Sequence, residues 1–378
     1  MVMRNTIRRI LRFKSRTLLV LVSTMCVAFG WKADRVHKQT AAIAWVRELG
    51  GSVGYRHESG ISRFPQSKPR HQWLVDLLGV DLFADVVSVH LGGASIPDFK
   101  RLSHFPNLRT LSLQHSQIDD FATIAELDSL EHLDLDDTQI SDLSPLRELR
   151  KLRRLHLDRT NVEELSPLSG LVNIEHLRLQ ETRVNNLKPL AQMRSMIELE
   201  LDRTQVEHLL GLEGLSSLTH LHINETKVRS LSPISQLVTL RSLHAHGTPV
   251  SELSPLRKLT SLTHVDLSDT NTADLAPLRE LPNIKFLKLT NTKVVDVSPL
   301  AGMTKLQVAW LNQTNVRDVT PLSRLGVLED LYLGGTEVRD PMPLAHLPGL
   351  RFLQLSGSEA SRSALKLERA LPKCVVAR

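Results

Sequence analysis

A threonine recurs at a strict interval of 22 residues along most of this chain, from Thr138 to Thr336. Serine keeps the same phase one interval beyond each end, at Ser116 and Ser358. A fixed period of about 20 to 50 residues is typical of a solenoid, in which each unit buries its apolar face only by stacking on its neighbours. The sequence therefore predicts one elongated stack of about twelve coils, and not several globular domains.

Each unit also repeats its apolar residues in phase with the threonine. The unit of Thr138 carries leucine at positions 130, 133, 135, 143, 146 and 149. The alternation around Leu133 and Leu135 predicts a short strand with one buried face, and such strands would stack as a parallel sheet on the concave side. Proline on the return path, as at Pro145, predicts short helical turns or extended segments on the convex side. The threonine hydroxyl is expected to hydrogen-bond backbone groups at the turn after each strand.

This spacing resembles the leucine-rich-repeat family, L-x-x-L-x-L-x-x-N/C-x-L, with threonine in the usual asparagine position. The 22-residue length and the segment LSPL at 143–146, 165–168 and 253–256 are similar to the internalin-type class of bacterial repeats. The resemblance covers residues 86–358. It implies an α/β solenoid, a right-handed superhelix with a concave parallel sheet.

A stack of this kind exposes its core at both ends and needs caps. For the N-terminal cap, residues 33–85, the sequence predicts a helix from Ala41 to Leu49, a strand from Val53 to Tyr55 and a second helix from Trp73 to Leu82. For the C-terminal cap, residues 359–378, it predicts a helix from Ala360 to Leu371 and a final strand.

The first 16 residues form a basic leader, and an uncharged run follows from Thr17 to Trp31. Residues 1–38 carry a net charge of +8 and the other 340 residues carry −2, so the repeats lack the basic stripe that nucleic-acid binding requires. Residues 17–32 are predicted as a single-pass signal anchor, with a cleaved signal peptide and a buried soluble helix left open. The cations before the run favour a cytoplasmic N-terminus and repeats in the periplasm or beyond it.

The leader, the segment AIAWVRELGGSVGY at 42–55 and the closing ALPKCVV at 370–376 resemble membrane-anchored leucine-rich-repeat proteins of planctomycete bacteria. That resemblance implies the same topology. It supplies no catalytic residue.

Function is expected on the concave face, where three residues of each unit are predicted to point away from the core. They lie six, four and two positions before each threonine, and we call them the first, second and third rows. Residues of one row on adjacent strands lie about 4.8 Å apart. The second row reads Asp134, His156, Arg178, Glu200, His222, His244, Asp266, Lys288, Trp310 and Tyr332.

Histidine is enriched in these rows, which hold eight of the 16 histidines of the chain. His220, His222, His244 and His246 form a two-by-two block on adjacent strands, with Asp266 beside it. Three interpretations stay open: a zinc site, a contact surface that changes charge between about pH 5 and 8, and an ordinary solvated polar face. No spaced ligand motif such as H-E-x-x-H occurs in the sequence to decide between them.

A second cluster, Phe286, Val308, Trp310, Tyr332 and Phe352, places apolar side chains in the first and second rows near the C-terminus. Cross-strand packing that stiffens the sheet would explain it. Exposed aromatic side chains on a concave sheet are also typical anchors of binding interfaces. The predicted partner site combines this cluster with nearby residues of the second row. These are His222, His244, Asp266 and Lys288.

The sequence shows no catalytic grouping. The segments LGGAS and LGGTE lack the GK[ST] of a phosphate loop, and no strained Ser/His/Asp elbow occurs. We therefore expect a non-catalytic scaffold or adhesion-type protein without a cofactor, which binds a protein or glycan on its concave face. Two alternatives stay open: a structural envelope protein that self-associates through the solenoid, and a metal-dependent activity at the histidine block.

Overall fold

The computed structural model describes residues 15–55, 85–360 and 364–378 of the protein. One helix, α1, runs from Ser15 to Glu48. It joins two segments that the sequence analysis treated separately, the anchor over 17–32 and the cap helix beginning at Ala41, because no proline interrupts residues 15–48. Gly50, with a φ of 77°, follows its end. The predicted helix from Trp73 to Leu82 lies outside the described residues.

Membrane-spanning character is not found in this helix. Among the helices that the described residues form, none combines the length and the apolar character that a membrane span needs.

The strands are short and recur once per coil. In chain order they are β1 (Ser52–Tyr55), β2 (Val86–His90), β3 (Ser95–Ile96), β4 (Thr110–Ser112), β5 (Gln117–Ile118), β6 (His132–Asp134), β7 (Arg154–His156), β8 (His176–Arg178), β9 (Glu198–Glu200), β10 (His220–His222), β11 (Ser242–His244), β12 (His264–Asp266), β13 (Phe286–Lys288), β14 (Val308–Trp310), β15 (Asp330–Tyr332), β16 (Phe352–Gln354) and β17 (Val375–Ala377). All except β3 and β5 form one sheet of 15 strands in chain order. Only β1, in the cap, pairs antiparallel within this sheet. The structure is thus the predicted solenoid with a parallel sheet.

The convex side consists of short 3-10 turns, in agreement with the prediction from the prolines. These turns are Phe99–His104, Phe121–Glu126, Ser144–Leu146, Ser166–Leu168, Lys188–Leu190, Ser232–Ile234, Ser254–Leu256, Ala276–Glu280, Ser298–Gly302, Thr320–Arg324 and Met342–His346. Proline stands in the first residues of most of them, where a missing N–H removes no helical hydrogen bond. In the fully described coil between β9 and β10, Gly211 replaces the proline and no 3-10 turn forms.

The core is a column of leucines between the sheet and these turns, and the threonines close it at the bend. Leu133, at the centre of β6, is 1% exposed and Thr138 is equally buried. In all ten coils from Thr138 to Thr336, the threonine hydroxyl donates a 2.7 Å hydrogen bond to the carbonyl oxygen three residues earlier. The predicted role of the threonine at the turn is confirmed.

Both ends of the column are covered. At the N-terminal end, Ile43 and Val46 of α1 are buried in the core, and β1 adds an antiparallel strand beside β2. At the C-terminal end, helix α2 (Ala364–Ala370) buries Leu367, and β17 pairs parallel to β16. The core leucines are therefore shielded from water at both ends of the stack.

Candidate functional site

The concave face is built by strands in perfect register, so residues of one row lie side by side. In the second row, Asp134 pairs with His156, and Trp310 pairs with Tyr332. On the strands between them, His244 pairs with His222 on one side and with Asp266 on the other, and Asp266 pairs in turn with Lys288. The first and second rows are thus placed as the repeat period predicts.

Aromatic rings occupy the C-terminal end of this face, and we call Trp310, Tyr332 and Phe352 the aromatic patch. The rings of Trp310 and Tyr332 are stacked, with centroids 5.4 Å apart and an angle of 10° between their planes. The Phe352 ring lies 5.2 Å from that of Tyr332, tilted by 44°. Lys288 Nζ lies 5.4 Å from the centroid of Trp310, within the range of a cation–π contact. Each ring of the patch is only partly buried.

Two residues of the predicted apolar cluster lie apart from this patch. Phe286 belongs to the first row and stacks on His264, with centroids 4.6 Å apart. Val308 is buried at 8% exposure, in register between Phe286 and Asp330. Because so little of Val308 is accessible, the exposed apolar surface of the cluster comes from its aromatic members.

The histidine block does not converge on a common point. The His222 and His244 rings are stacked, with centroids 4.4 Å apart. His220 Nδ1 instead lies 2.8 Å from Thr219 Oγ1, and His246 Nδ1 lies 3.1 Å from Asp269 Oδ2. Among the described residues, the one group of three potential metal ligands in close proximity is Asp134, Asp136 and His156. Among the described residues the histidine block thus forms no such group, because its side chains turn to separate partners, and the zinc interpretation of the block stays a prediction.

The chemistry of the histidine stack is that of two partly buried imidazoles. Burial, and then the neighbouring His222, lowers the pKa of His244. His244 Nε2 lies 2.9 Å from Ser242 Oγ on the same strand. Burial therefore favours the neutral form of His244.

The third row is not a contact surface in the N-terminal coils, contrary to the prediction. Asp158 is fully buried and Asp136 is 8% exposed. Asp136 Oδ1 accepts a 2.8 Å hydrogen bond from the N–H of Asp158, and Asp158 Oδ1 accepts one of the same length from the N–H of Gln180. These side chains bridge successive coils at the turn. Asp or Asn recurs in this row, and this recurrence is the sequence signal from which the bridging role could have been predicted. The same bridge is made by Asp202, Asn224 and Asn312.

The buried acids create a charged cluster at this end of the face. Burial raises the pKa of Asp136 to about 6, and the charge of Asp158 adds to this shift. The Arg178 guanidinium pairs with Asp158 and lies 3.8 Å from Asp136 Oδ2 and 3.6 Å from Glu200 Oε2. One cation thus faces three carboxylates.

Comparisons with known proteins agree with this architecture. A family model described as leucine-rich repeats (2 copies) matches residues 106–148 and 128–170. An internalin from Listeria monocytogenes superimposes with a TM-score of 0.64 at 24% identity, over 74% of this chain and 92% of the internalin. A leucine-rich-repeat protein from Leptospira interrogans gives 0.67 at 21% identity, over 74% of this chain and 80% of its own. No curated protein matches the sequence.

These likenesses, together with the solenoid itself, define the class. The chain is a leucine-rich-repeat protein with an internalin-like solenoid. At these identities the likeness concerns the fold.

Proposed function

We propose that this protein is a non-catalytic binding protein that captures a macromolecular partner on its concave face, with the aromatic patch as the anchor. The observation that carries the proposal is the group of adjoining, partly exposed rings of Trp310, Tyr332 and Phe352, of which the first two are stacked. Leucine-rich-repeat solenoids offer an extended concave surface for such contacts.

The rings are not needed to close the core. The strand centres beneath them, Leu287, Ala309, Leu331 and Leu353, are fully buried and already complete the leucine column. Large aromatic groups left partly exposed on a sheet offer apolar area at low cost in side-chain entropy, which favours an interface role over simple stiffening.

The surroundings of the patch fit a partner with mixed apolar and polar chemistry. Lys288 Nζ lies 3.3 Å from Asp266 Oδ2, so the edge of the patch presents a salt bridge beside the Trp310 ring. An apolar centre with a charged rim is the usual composition of a protein interface. We therefore favour a protein partner, with a glycan as the competing outcome of the same experiment.

The test is affinity capture from the native cell envelope with the purified full chain as bait. The Trp310→Ala/Tyr332→Ala double variant is run beside it, together with His132→Ala/Arg154→Ala on the same face. We expect a captured protein that is lost with the aromatic variant and kept with the control. Capture that is identical for all three baits would contradict the proposal, and recovery of the bait chain alone would favour self-association.

We also propose that the repeats act outside the cytoplasm. The basic leader over 1–16 and the uncharged run that follows it support export, by the positive-inside rule. A reporter that is active only outside the cytoplasm, fused after Arg378, is expected to be active in cells. A reporter that is active only when the fusion is cytoplasmic would overturn this placement.

A further inference from the structure

A group of metal-ligating side chains lies at the N-terminal end of the concave face, far from the aromatic patch. Asp134 ends β6, Asp136 lies in the following turn, and His156 ends β7 in register with Asp134. One ligand atom of each lies within 4.8 Å of the other two. We propose that Asp134, Asp136 and His156 form a binding site for a divalent transition-metal ion of the zinc type.

The backbone already aims both carboxylates at the site. Asp134 Oδ1 accepts a 3.1 Å hydrogen bond from the N–H of Asp136, and Asp136 Oδ1 accepts one from the N–H of Asp158. Each carboxylate is thus fixed through Oδ1, and Oδ2 of Asp134, which accepts only a long 3.5 Å hydrogen bond from Ser112 Oγ, can turn to a metal together with Oδ2 of Asp136. Such outer contacts orient ligands in known metal sites.

Small side-chain movements would bring the three ligand atoms to the separation that a bound metal ion requires. Two ligands at about 2.1 Å from a tetrahedral ion lie about 3.4 Å apart. Contraction from the present separation therefore needs shifts of about 1 Å or a little more, which rotation of the partly exposed Asp134 and His156 side chains supplies. The His156 imidazole forms no hydrogen bond within the described part of the chain that would have to break first.

The local charge balance favours a cation. The carboxylates of Asp136, Asp158 and Glu200 face one guanidinium, that of Arg178, and Asp134 adds a fourth carboxylate beside Asp136. Arg178 is drawn towards Asp158, which is fully buried, and stays 3.8 Å from Asp136 Oδ2. A divalent ion would offset the excess negative charge that remains on the Asp134 side.

The donor set selects the kind of metal. An imidazole with two carboxylates suits Zn²⁺ and its neighbours in the first transition row, whereas Ca²⁺ prefers six to eight oxygen ligands. Three protein ligands leave a fourth position open towards the concave side. His156 on β7 lies seven strands from Trp310 on β14, or about 34 Å along the stack, so the site is independent of the aromatic patch.

The experiment titrates Zn²⁺ into the metal-free full chain by calorimetry, with Co²⁺ absorption as the report of tetrahedral geometry and Ca²⁺ as a comparison. The key variant is Asp136→Asn, because its amide oxygen can still accept the hydrogen bond of Asp158 while the anionic ligand is lost. His156→Ala is the second variant, and His222→Ala/His244→Ala is the control that removes two other concave histidines.

We expect one Zn²⁺ ion to bind per chain. Its affinity should fall by at least about tenfold in Asp136→Asn and in His156→Ala and stay unchanged in the control. Absence of stoichiometric Zn²⁺ binding, binding unaffected by both ligand variants, or equally strong Ca²⁺ binding would overturn the proposal. Circular dichroism checks that each variant is folded, and His156→Ala carries the test alone if Asp136→Asn is not.

Discussion

The two ends of the concave face share one backbone and differ in chemistry. Strands β6 to β9 present charged and imidazole groups over buried acids, whereas β13 to β16 present rings. The strand register and the threonine hydrogen bond are the same at both ends. The leucine and threonine positions therefore determine the solenoid, and the three rows are free to differ from coil to coil.

The turn residue just before each threonine shows the same contrast. It adopts a left-handed conformation in both halves, with φ of 58° at Asp137 and 55° at Gln313. In the N-terminal coils this position carries charged residues that pair across coils, as Arg159 does with Asp137. Later coils place glycine there at Gly335 and Gly357, where no strain arises. The polar half thus carries ion-paired side chains at this position, whereas the aromatic half carries the uncharged Asn291 and Gln313 and then glycine.

The largest expected effect is on folding stability at the polar end. Asp158→Ala should lower the free energy of unfolding by about 3 to 5 kcal/mol, because it leaves the Gln180 N–H and the Arg178 guanidinium without their buried acceptor. Asn312→Ala, which removes the equivalent bridge to Gly334 at the aromatic end, should cost about 1 to 3 kcal/mol. Urea unfolding followed by circular dichroism measures both. Equal losses would break the distinction between the two ends.

The aromatic patch should contribute less to stability than to binding. Because Trp310 and Tyr332 are partly exposed, replacing both with alanine should lower the free energy of unfolding by about 2 kcal/mol or less. The same urea experiment tests this. A loss as large as that of Asp158→Ala would mean that the rings are structural cross-strand packing.

A smaller effect is expected from the histidine stack between the two ends. Since burial and His222 lower the pKa of His244 in the folded state, the unfolded chain binds the proton more readily below pH 6.5. The free energy of unfolding should therefore fall as the pH is lowered through this value. The charge of Asp266 opposes the lowering of the His244 pKa, and the charge of Lys288 reinforces it. His244→Gln should flatten this dependence in urea unfolding at several pH values. An unchanged slope would contradict the assignment. The residual slope comes from His132, His156 and His264, whose pKa values are also lowered, mainly by burial. Asp136 opposes them, because its pKa is raised to about 6 and the folded chain therefore takes up its proton more readily than the unfolded chain.

The smallest effect should come from the left-handed turn position. Gln313→Gly relieves the strain of a side chain at a φ of 55° but gives the unfolded chain more freedom. These terms oppose each other, so the free energy of unfolding should change by about 0.5 kcal/mol or less. Thermal unfolding of this variant beside the parent measures it. A loss above about 1 kcal/mol would show that the Gln313 side chain has a structural role.

Most of the fold was predictable because one period fixes every coil. Threonine, leucine and proline positions predicted the strands, the turn hydrogen bonds and the 3-10 side. The burial of the third row was not predicted. The alternation of inward and outward residues holds only within the strand, and beyond it the backbone turns and carries Asp136 and Asp158 inwards. Convergence of His220 and His246 could not be judged from spacing, since it depends on which way each imidazole rotates.

The most direct test of the central claim places a photo-reactive side chain at Tyr332 in one sample and at His132 in another, in cells that produce the full chain. Irradiation should cross-link a partner through position 332, because that position lies within the aromatic patch, and should give no such product through position 132. Equal cross-linking through both positions, or cross-linking through position 132 alone, would contradict an anchor at the aromatic end.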